Sequence, residues 1–284
     1  MSLNMLRSVL FVPAVSTHLL AKAAQRGADA LILDLEDAIP LDRKQEAREK
    51  LADAIQGIGG AAPVLVRVNA DPDMLRADLA ALPATGLAGI MLPKVESAAQ
   101  IQTLCAWLEK NGAASLPVVA LIETPLGVLR LESIASAHQS VAALGFGGED
   151  YATEMSIAPT PDSLAWAAHA VANCAHAFGL ACWGLPGSVA EIHDMESYAS
   201  LVARARSMGF TGTVCIHPNQ IPHANRGFSP SEKELEWARA VVAAGEDAQA
   251  RGLGAATFEG RMIDRPVIER AQSLLMRGRT PSGV

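Results

Sequence analysis

Carboxylates follow several short apolar segments of the chain, at the points where those segments end. Glu36 and Asp37 follow one segment, Glu123 ends a later one, and Glu149 and Asp150 come after the next. Carboxylates without a cysteine or histidine cluster suit a hard cation such as Mg²⁺, which takes one or two of them and keeps water or substrate in its other positions. Glu123 with either Glu149 or Asp150 would provide that site. Taken singly, each carboxylate could instead cap a helix.

Two basic side chains also lie at or near the ends of apolar segments. Arg67 lies near the end of the segment Val64–Val68, where a guanidinium can clamp a carboxylate or a developing oxyanion. A metal, an arginine and carboxylates together suit oxo- or hydroxy-acids, and a carbon–carbon bond that is cleaved or formed through an enolate. Lys94 follows the segment Gly89–Leu92, and a Schiff base on this lysine is an alternative. The GxSxG, HExxH and CxxC motifs are absent.

The elements that must position these residues alternate between strands and helices. The predicted strands are apolar throughout, as in parallel strands covered on both faces. Eight strand–helix units predict a TIM barrel, in which the active site lies at the carboxyl ends of the strands. A doubly wound sheet is the alternative, but no GxGxxG follows an early strand. The predicted strands are Ser8–Pro13, Ala30–Leu33, Val64–Val68, Gly89–Leu92, Val118–Ile122, Val141–Gly145, Ala181–Trp183 and Val214–Ile216.

The predicted helices divide the chain into a barrel domain, residues 1–225, and a helical C-terminal extension, residues 226–284. The extension exceeds what a barrel needs, and it could dock on the barrel or reach the site of a neighbouring subunit. Asp162 is expected to cap the helix that it begins. The helices are expected at Thr17–Arg26, Arg43–Ile58, Met74–Ala81, Ala98–Asn111, Asp162–Phe178, Pro230–Gly252 and Pro266–Met276, with a loop over Gly252–Gly260.

Composition excludes several classes of protein. The chain has 284 residues, of which 50% are hydrophobic and 19% charged, so it is not a disordered protein. Its net charge of −7 and its 4% of aromatic residues disfavour nucleic-acid binding. No run of 18 apolar residues predicts a membrane helix. We expect a cytoplasmic protein whose four cysteines are free thiols.

Several short motifs occur in order along almost the whole chain. They are Arg7–Pro13, Leu33–Ala38, Val66–Asn69, Met91–Glu96, Ile122–Thr124, Gly147–Asp150, Cys215–Pro218 and Gly260–Asp264. Together they resemble the HpcH/HpaI aldolase and citrate lyase β-subunit family, and more narrowly its CoA-ester lyases, such as malyl-CoA and citramalyl-CoA lyases.

The resemblance implies roles for the residues at the strand ends. Glu123 and Asp150 would be the Mg²⁺ ligands, and Glu149 would be a neighbour of that site. Arg67 would bind the oxo-acid and stabilise the oxygen of the thioester enolate. The resemblance also implies that this protein forms a homo-oligomer, a trimer or a hexamer.

Three further residues are expected in the substrate site by the same resemblance. Glu36 and Asp37 would form an acidic cluster that holds metal-bound waters and orients Arg67. Arg7, at the start of the first strand, would join the same polar network.

Asp264 in the C-terminal extension matches the acid/base that acts on the carbon derived from CoA. The extension would place this residue in a neighbouring subunit's site. Alternatively Asp264 only begins a helix, because Pro266 favours a first helical turn.

The leading prediction is a Mg²⁺-dependent carbon–carbon lyase that acts on a malyl-CoA- or citramalyl-CoA-like 3-hydroxyacyl thioester through an enolate. The alternatives are a Mg²⁺-dependent 4-hydroxy-2-oxo acid aldolase without CoA, a citrate lyase β subunit that acts on an acyl-carrier thioester, and a CoA thioesterase. A subunit without catalytic activity is disfavoured by the full set of metal and arginine positions.

Overall fold

The computed structural model describes residues 2–278, except for the side chains of residues 17, 18 and 21. The chain divides into two units, with the boundary between Phe228 and Ser229. The first unit contains eight parallel strands: β1 Ser8–Pro13, β2 Ala30–Asp34, β3 Val64–Arg67, β4 Gly89–Leu92, β5 Val118–Ile122, β6 Val141–Phe146, β7 Ala181–Gly184 and β8 Thr213–Cys215.

The eight strands form a nearly closed barrel. Each strand from β1 to β7 pairs in parallel with the next along the chain, and β8 pairs with β1. Between β7 and β8 a single bridge joins Trp183 and Gly212. The predicted TIM barrel is therefore confirmed, and the strand bounds differ from the predicted ones by one residue at most at either end.

Alternation along each strand separates two apolar cores. Residues such as Leu31, Leu33 and Val66 belong to the large core between the strands and the surrounding helices. The residues between them in sequence, such as Ile32 and Leu65, fill the interior of the barrel. Successive side chains of a strand point to opposite faces, so each strand has one face for each core.

The helices of the first unit cover the outside of the barrel. They are α1 Thr17–Ala23, α2 Lys44–Ile58, α3 Pro72–Ala80, α4 Ala98–Lys110, α5 Pro125–Leu129, α6 Leu131–Ala135, α7 Gly148–Met155, α8 Ala165–Ala177, α9 Met195–Met208 and α10 Ile221–Phe228. In α4 a capping box formed by Ser97 and Gln100 fixes the first turn.

The cap predicted at Asp162 is wrong. Helix α8 begins three residues later, and Leu164 is its N-cap. Thr160 and Ser163 bond each other and the local backbone in a turn that competes with the first helical turn. The Asp162 carboxylate is exposed and pairs with Arg204 instead.

The second unit contains the two predicted helices and, between them, a hairpin that was not predicted. Helix α11 Glu232–Ala250 and helix α12 Arg265–Gly278 enclose a small core with the antiparallel strands β9 Ala256–Phe258 and β10 Arg261–Ile263. The predicted loop over Gly252–Gly260 therefore includes a strand. Within residues 2–278 we find no helix long and apolar enough to cross a bilayer.

Candidate active site

The alternation of side chains brings three charged residues to the inner face of the barrel. Asp34 follows Ile32 by two residues, Arg67 follows Leu65, and Glu123 follows Leu121, and each of these apolar residues belongs to the interior core. Each charged residue stands at or just beyond the carboxyl end of its strand. The inward-pointing side chains of β2, β3 and β5 therefore change from apolar to charged at the carboxyl ends of these strands.

Arg67 is surrounded by three carboxylates. Its Nε and Nη2 atoms donate to Asp34 Oδ1 and Oδ2 at 2.7 and 2.6 Å. Its Nη1 atom lies 3.0 Å from Glu36 Oε2 and 3.4 Å from Asp37 Oδ2. The guanidinium also stands over the ring of Phe11, 4.5 Å from the centroid. Burial alone would lower the pKa of Arg67, but the hydrogen bond and charge of Asp34 raise it, so the group stays cationic.

Asp34 also belongs to this cluster, and no role was predicted for it from the sequence. It is almost fully buried, it pairs with Arg67 across β2 and β3 in register, and its oxygens also accept from the backbone N–H of Glu36 and Ala38. Its spacing of two residues from Ile32 would have predicted that it points into the barrel. A bidentate carboxylate fixes the plane of the guanidinium, so Asp34 orients Arg67 more directly than Glu36 or Asp37 does.

Glu36 lies between two cations. One oxygen accepts from Lys94 Nζ at 3.0 Å, and the other is close to Arg67 in an ion pair without hydrogen-bond geometry. Lys44 Nζ donates to the carbonyl oxygens of Leu35 and Glu36, which fixes the backbone of this loop. Burial raises the pKa of Glu36 more than the charge of Arg67 lowers it.

Lys94 lacks the properties of a Schiff-base lysine. Burial lowers its pKa, but the hydrogen bond and charge of Glu36 and the charge of Asp37 outweigh burial, so the pKa lies above its ordinary value. A nucleophilic lysine requires a lowered pKa. The Schiff-base alternative is therefore disfavoured.

Glu123 is a buried carboxylate beside a second acid. Its side chain is buried, and its Oε2 accepts from the backbone N–H of Lys94 at 2.9 Å. A Cβ at Gly147 would stand 2.5 Å from Glu123 Cγ, so only glycine leaves room for this side chain. Burial, together with the charge of Asp150, raises the pKa of Glu123 to about 8.

Asp150 and Glu149 lie in the first turn of α7, directly after β6. Ser188 donates a hydrogen bond to Glu149 Oε1 and accepts one from the backbone N–H of Ala190. Glu149 thus has a partner in the loop after β7, and Asp150 is the acid whose charge acts on Glu123.

Arg67, Glu123 and Asp150 face one cavity of about 440 Å³ in the first unit. Arg67, Asp34, Asp37, Glu123 and Asp150 line its polar part. Glu149 and Thr213 add further polar groups to the lining. The remaining walls are mostly apolar or backbone, and they include Phe11, Leu121, Phe146, Leu185, Val189, Val214 and Ile216 together with Gly147, Gly148, Gly184 and Gly187.

The donor set fits Mg²⁺. Residues 2–278 contain no group of three or more His, Cys, Asp or Glu side chains placed to hold a metal. Magnesium needs fewer, because it keeps several waters and takes one or two carboxylates together with substrate oxygens. Glu123 and Asp150 line the same cavity, and the charge of Asp150 disfavours ionisation of Glu123 without a cation.

Arg7 lies at the wrong end of the barrel for the predicted polar network. It precedes β1, and its Nε and Nη2 atoms donate to Asp29, which precedes β2, at 2.9 and 2.8 Å. Both residues therefore stand at the amino ends of their strands, and Arg67 stands at a carboxyl end. The expectation that Arg7 binds substrate with Glu36 and Asp37 is corrected.

Asp264 belongs to the second unit, between β10 and α12. Its Oδ1 lies 3.5 Å from the backbone N–H of Val267, a long capping contact, and its carbonyl accepts from Ile268 at 3.1 Å. The carboxylate is partly buried.

These features define a TIM-barrel protein with an acidic cavity and a buried arginine, at the end of the barrel where enzymes of this fold carry their active sites. Residues 7–218 match the family model described as HpcH/HpaI aldolase/citrate lyase. The chain therefore belongs to that family.

Three relatives cover nearly the whole chain. A citrate lyase subunit beta-like protein of Deinococcus radiodurans is 35% identical over 278 residues, 95% of this chain and 96% of the relative. A (3S)-malyl-CoA thioesterase of Cereibacter sphaeroides is 35% identical over 276 residues, 95% and 94% of the two chains. The crystal structure of CitE from Mycobacterium tuberculosis in complex with magnesium, acetoacetate and coenzyme A is 33% identical, covers 95% and 97% of the two chains, and has a TM-score of 0.78.

Proposed function

We propose that this protein is a Mg²⁺-dependent CoA-ester lyase that cleaves or forms the carbon–carbon bond of a malyl-CoA- or citramalyl-CoA-like 3-hydroxyacyl thioester. The observation that carries the proposal is the meeting of Arg67 with the Glu123–Asp150 pair at one cavity. The structure of a relative with magnesium, an oxo-acid and coenzyme A supports the choice of ligands.

The cleavage is a retro-Claisen reaction. The hydroxyl loses its proton and becomes the carbonyl of an oxo-acid, while the bond to the carbon next to the thioester breaks. The electron pair of that bond forms the thioester enolate, which then takes up a proton on carbon. The products are an oxo-acid and an acyl-CoA, so atoms and charge balance.

Arg67 stabilises the enolate oxygen in this proposal. Asp34 holds the guanidinium plane before substrate binds, so no reorganisation is needed as negative charge develops. Glu123 and Asp150 would hold Mg²⁺, which supplies Lewis-acid polarisation of the oxygen that becomes the carbonyl. Glu36 and Asp37 keep Arg67 in place and add acceptors for water at the rim.

Asp264 is proposed as the acid that protonates the enolate carbon. We propose that it acts in the site of a neighbouring subunit of a homotrimer or hexamer, which gives the second unit a function.

A CoA thioesterase is the second candidate, because a relative of equal identity carries that name. The same guanidinium would then stabilise the oxyanion formed when water attacks the thioester, and the products would be free CoA and a hydroxy-acid. A citrate lyase β subunit is the third candidate, since relatives named for it also cover the chain. It would act on an acyl-carrier thioester rather than on CoA.

Product analysis separates these candidates. Purified protein is incubated with (3S)-malyl-CoA and with citramalyl-CoA, with Mg²⁺ and after treatment with EDTA. The lyase yields acetyl-CoA with glyoxylate or pyruvate and no free thiol, whereas the thioesterase yields free thiol and no oxo-acid. Absence of Mg²⁺-dependent turnover of both esters by folded protein would overturn the proposal. Turnover of the acyl-carrier thioester alone would establish the third candidate.

A further inference from the structure

The backbone of Lys94 adopts a conformation that is costly for a residue with a side chain. Its φ angle is +50°, in the left-handed region. The structure describes two other non-glycine residues with positive φ, and both have ordinary local reasons. Ser156 is the C-cap of α7, and Glu259 precedes Gly260 in the two-residue turn between β9 and β10. Lys94 stands just beyond the end of β4, where neither reason applies.

The consequence of this conformation is a hydrogen bond to Glu123. The backbone N–H of Lys94 points at Glu123 Oε2, 2.9 Å away. Among the described residues, this is the one hydrogen bond that the Glu123 carboxylate accepts, and Glu123 is only 3% exposed. A buried carboxylate needs a donor, so the orientation of Glu123 depends on the backbone of residue 94.

The side chain of Lys94 reaches a different carboxylate. Its Nζ atom lies 3.0 Å from Glu36 Oε1 and 3.8 Å from Asp37 Oδ1. The second oxygen of Glu36 lies 3.0 Å from Arg67 Nη1. Glu36 is therefore held from both sides, and Lys94 supplies positive charge beside Arg67 among three carboxylates.

We propose that Lys94 is a positioning residue that connects Glu123 with the carboxylates around Arg67. Its backbone N–H orients Glu123, and its ammonium group holds Glu36 against Arg67. This inference rests on the proposed function for its kinetic consequences. Strained residues of this kind concentrate at functional sites, where the surrounding structure imposes them.

Substitutions at residue 94 separate the two roles. Lys94→Gly and Lys94→Ala both remove the ammonium group and keep the N–H, but only glycine adopts positive φ without strain. We expect Mg²⁺ to bind Lys94→Gly about as tightly as the wild type, and to bind Lys94→Ala at least about threefold more weakly, because the donor to Glu123 is displaced. Equal Mg²⁺ affinity in these two variants would overturn the backbone role.

The side-chain role is tested with Lys94→Met and Lys94→Arg. We expect kcat of Lys94→Met to fall about tenfold or more, with a smaller change in KM, and Lys94→Arg to recover most of kcat. Lys50→Met is the matched control, since Lys50 has nearly the same side-chain exposure, 44% against 41%, and pairs with Glu46 on α2 away from the cavity. Wild-type kcat in Lys94→Met would overturn this role.

A double-mutant cycle keeps the inference separate from the proposed function. Urea unfolding of metal-free Lys94→Met, Glu36→Gln and the double variant requires neither substrate nor metal. If the ammonium group acts through Glu36, the shift in unfolding midpoint of the double variant differs from the sum of the single shifts. Additive shifts would overturn the proposed contact, even if no CoA ester is turned over.

Discussion

Gly147→Ala should displace Glu123 without disturbing the backbone. The φ and ψ angles of Gly147, −94° and 85°, are open to alanine. The new Cβ would stand 2.5 Å from Glu123 Cγ and 2.7 Å from its Oε1, and the three nearest atoms all belong to this one side chain. Carbon atoms in contact normally stay about 3.5 Å or more apart, so the carboxylate must move by about 1 Å.

A displacement of about 1 Å at a reacting centre costs about a hundredfold in rate, which is about 2.7 kcal/mol of transition-state stabilisation. We therefore expect kcat/KM for the CoA ester to fall about a hundredfold and Mg²⁺ to bind more weakly. Steady-state kinetics and calorimetry measure the two quantities, and thermal unfolding checks that the variant stays folded.

Gly57→Ala is the matched control, because nothing lies within 4 Å of a Cβ at this position in α2. It should keep full activity and gain up to about 1 kcal/mol in stability from helix propensity. Wild-type Mg²⁺ affinity and kcat/KM in Gly147→Ala would refute the reasoning that the observed position of Glu123 is the functional one.

Three further predictions concern the same site. Because the pKa of Glu123 is raised from 4.5 to about 8, the native protein binds more protons than the unfolded protein between these pH values. The free energy of unfolding of the metal-free protein should therefore fall as pH rises through this range, by at most about 1.4 kcal/mol per pH unit. Urea unfolding at several pH values measures this slope, and the same slope in a Glu123→Gln variant would contradict the prediction. Arg67→Lys should lose about a hundredfold or more in kcat, since lysine cannot form the bidentate pair with Asp34. Arg7→Lys is the control, because it breaks the comparable pair with Asp29 and should lower stability while leaving kcat unchanged. Similar kinetics of the two variants would show that Arg67 has no part in the mechanism. Asp264→Asn should abolish lyase turnover and leave Mg²⁺ affinity unchanged by calorimetry, and joint loss of both properties would indicate a structural role instead.

The ends of the barrel strands were predictable because strands covered on both faces are short, continuous apolar runs that stop where polar residues begin. Apolar runs identified all eight strands of the barrel but not β9 and β10 of the second unit. The position after each run located Glu123, Arg67 and the acids beyond them. The role of Asp34 was not predicted, because its partner Arg67 lies on the neighbouring strand. The register between two strands cannot be derived from the sequence of either segment. The Asp162 cap failed for a related reason, since hydrogen bonds between Thr160 and Ser163 compete with the expected first turn.

The sequence by itself determined the barrel, its parallel strands and the family, because hydrophobic periodicity and ordered motifs are properties of the chain. Only the tertiary structure decided which charged residues meet. It paired Arg7 with Asp29 instead of the acids around Arg67, and it joined Lys94 to both Glu123 and Glu36. These contacts depend on register, backbone conformation and burial, which arise only when distant segments pack together.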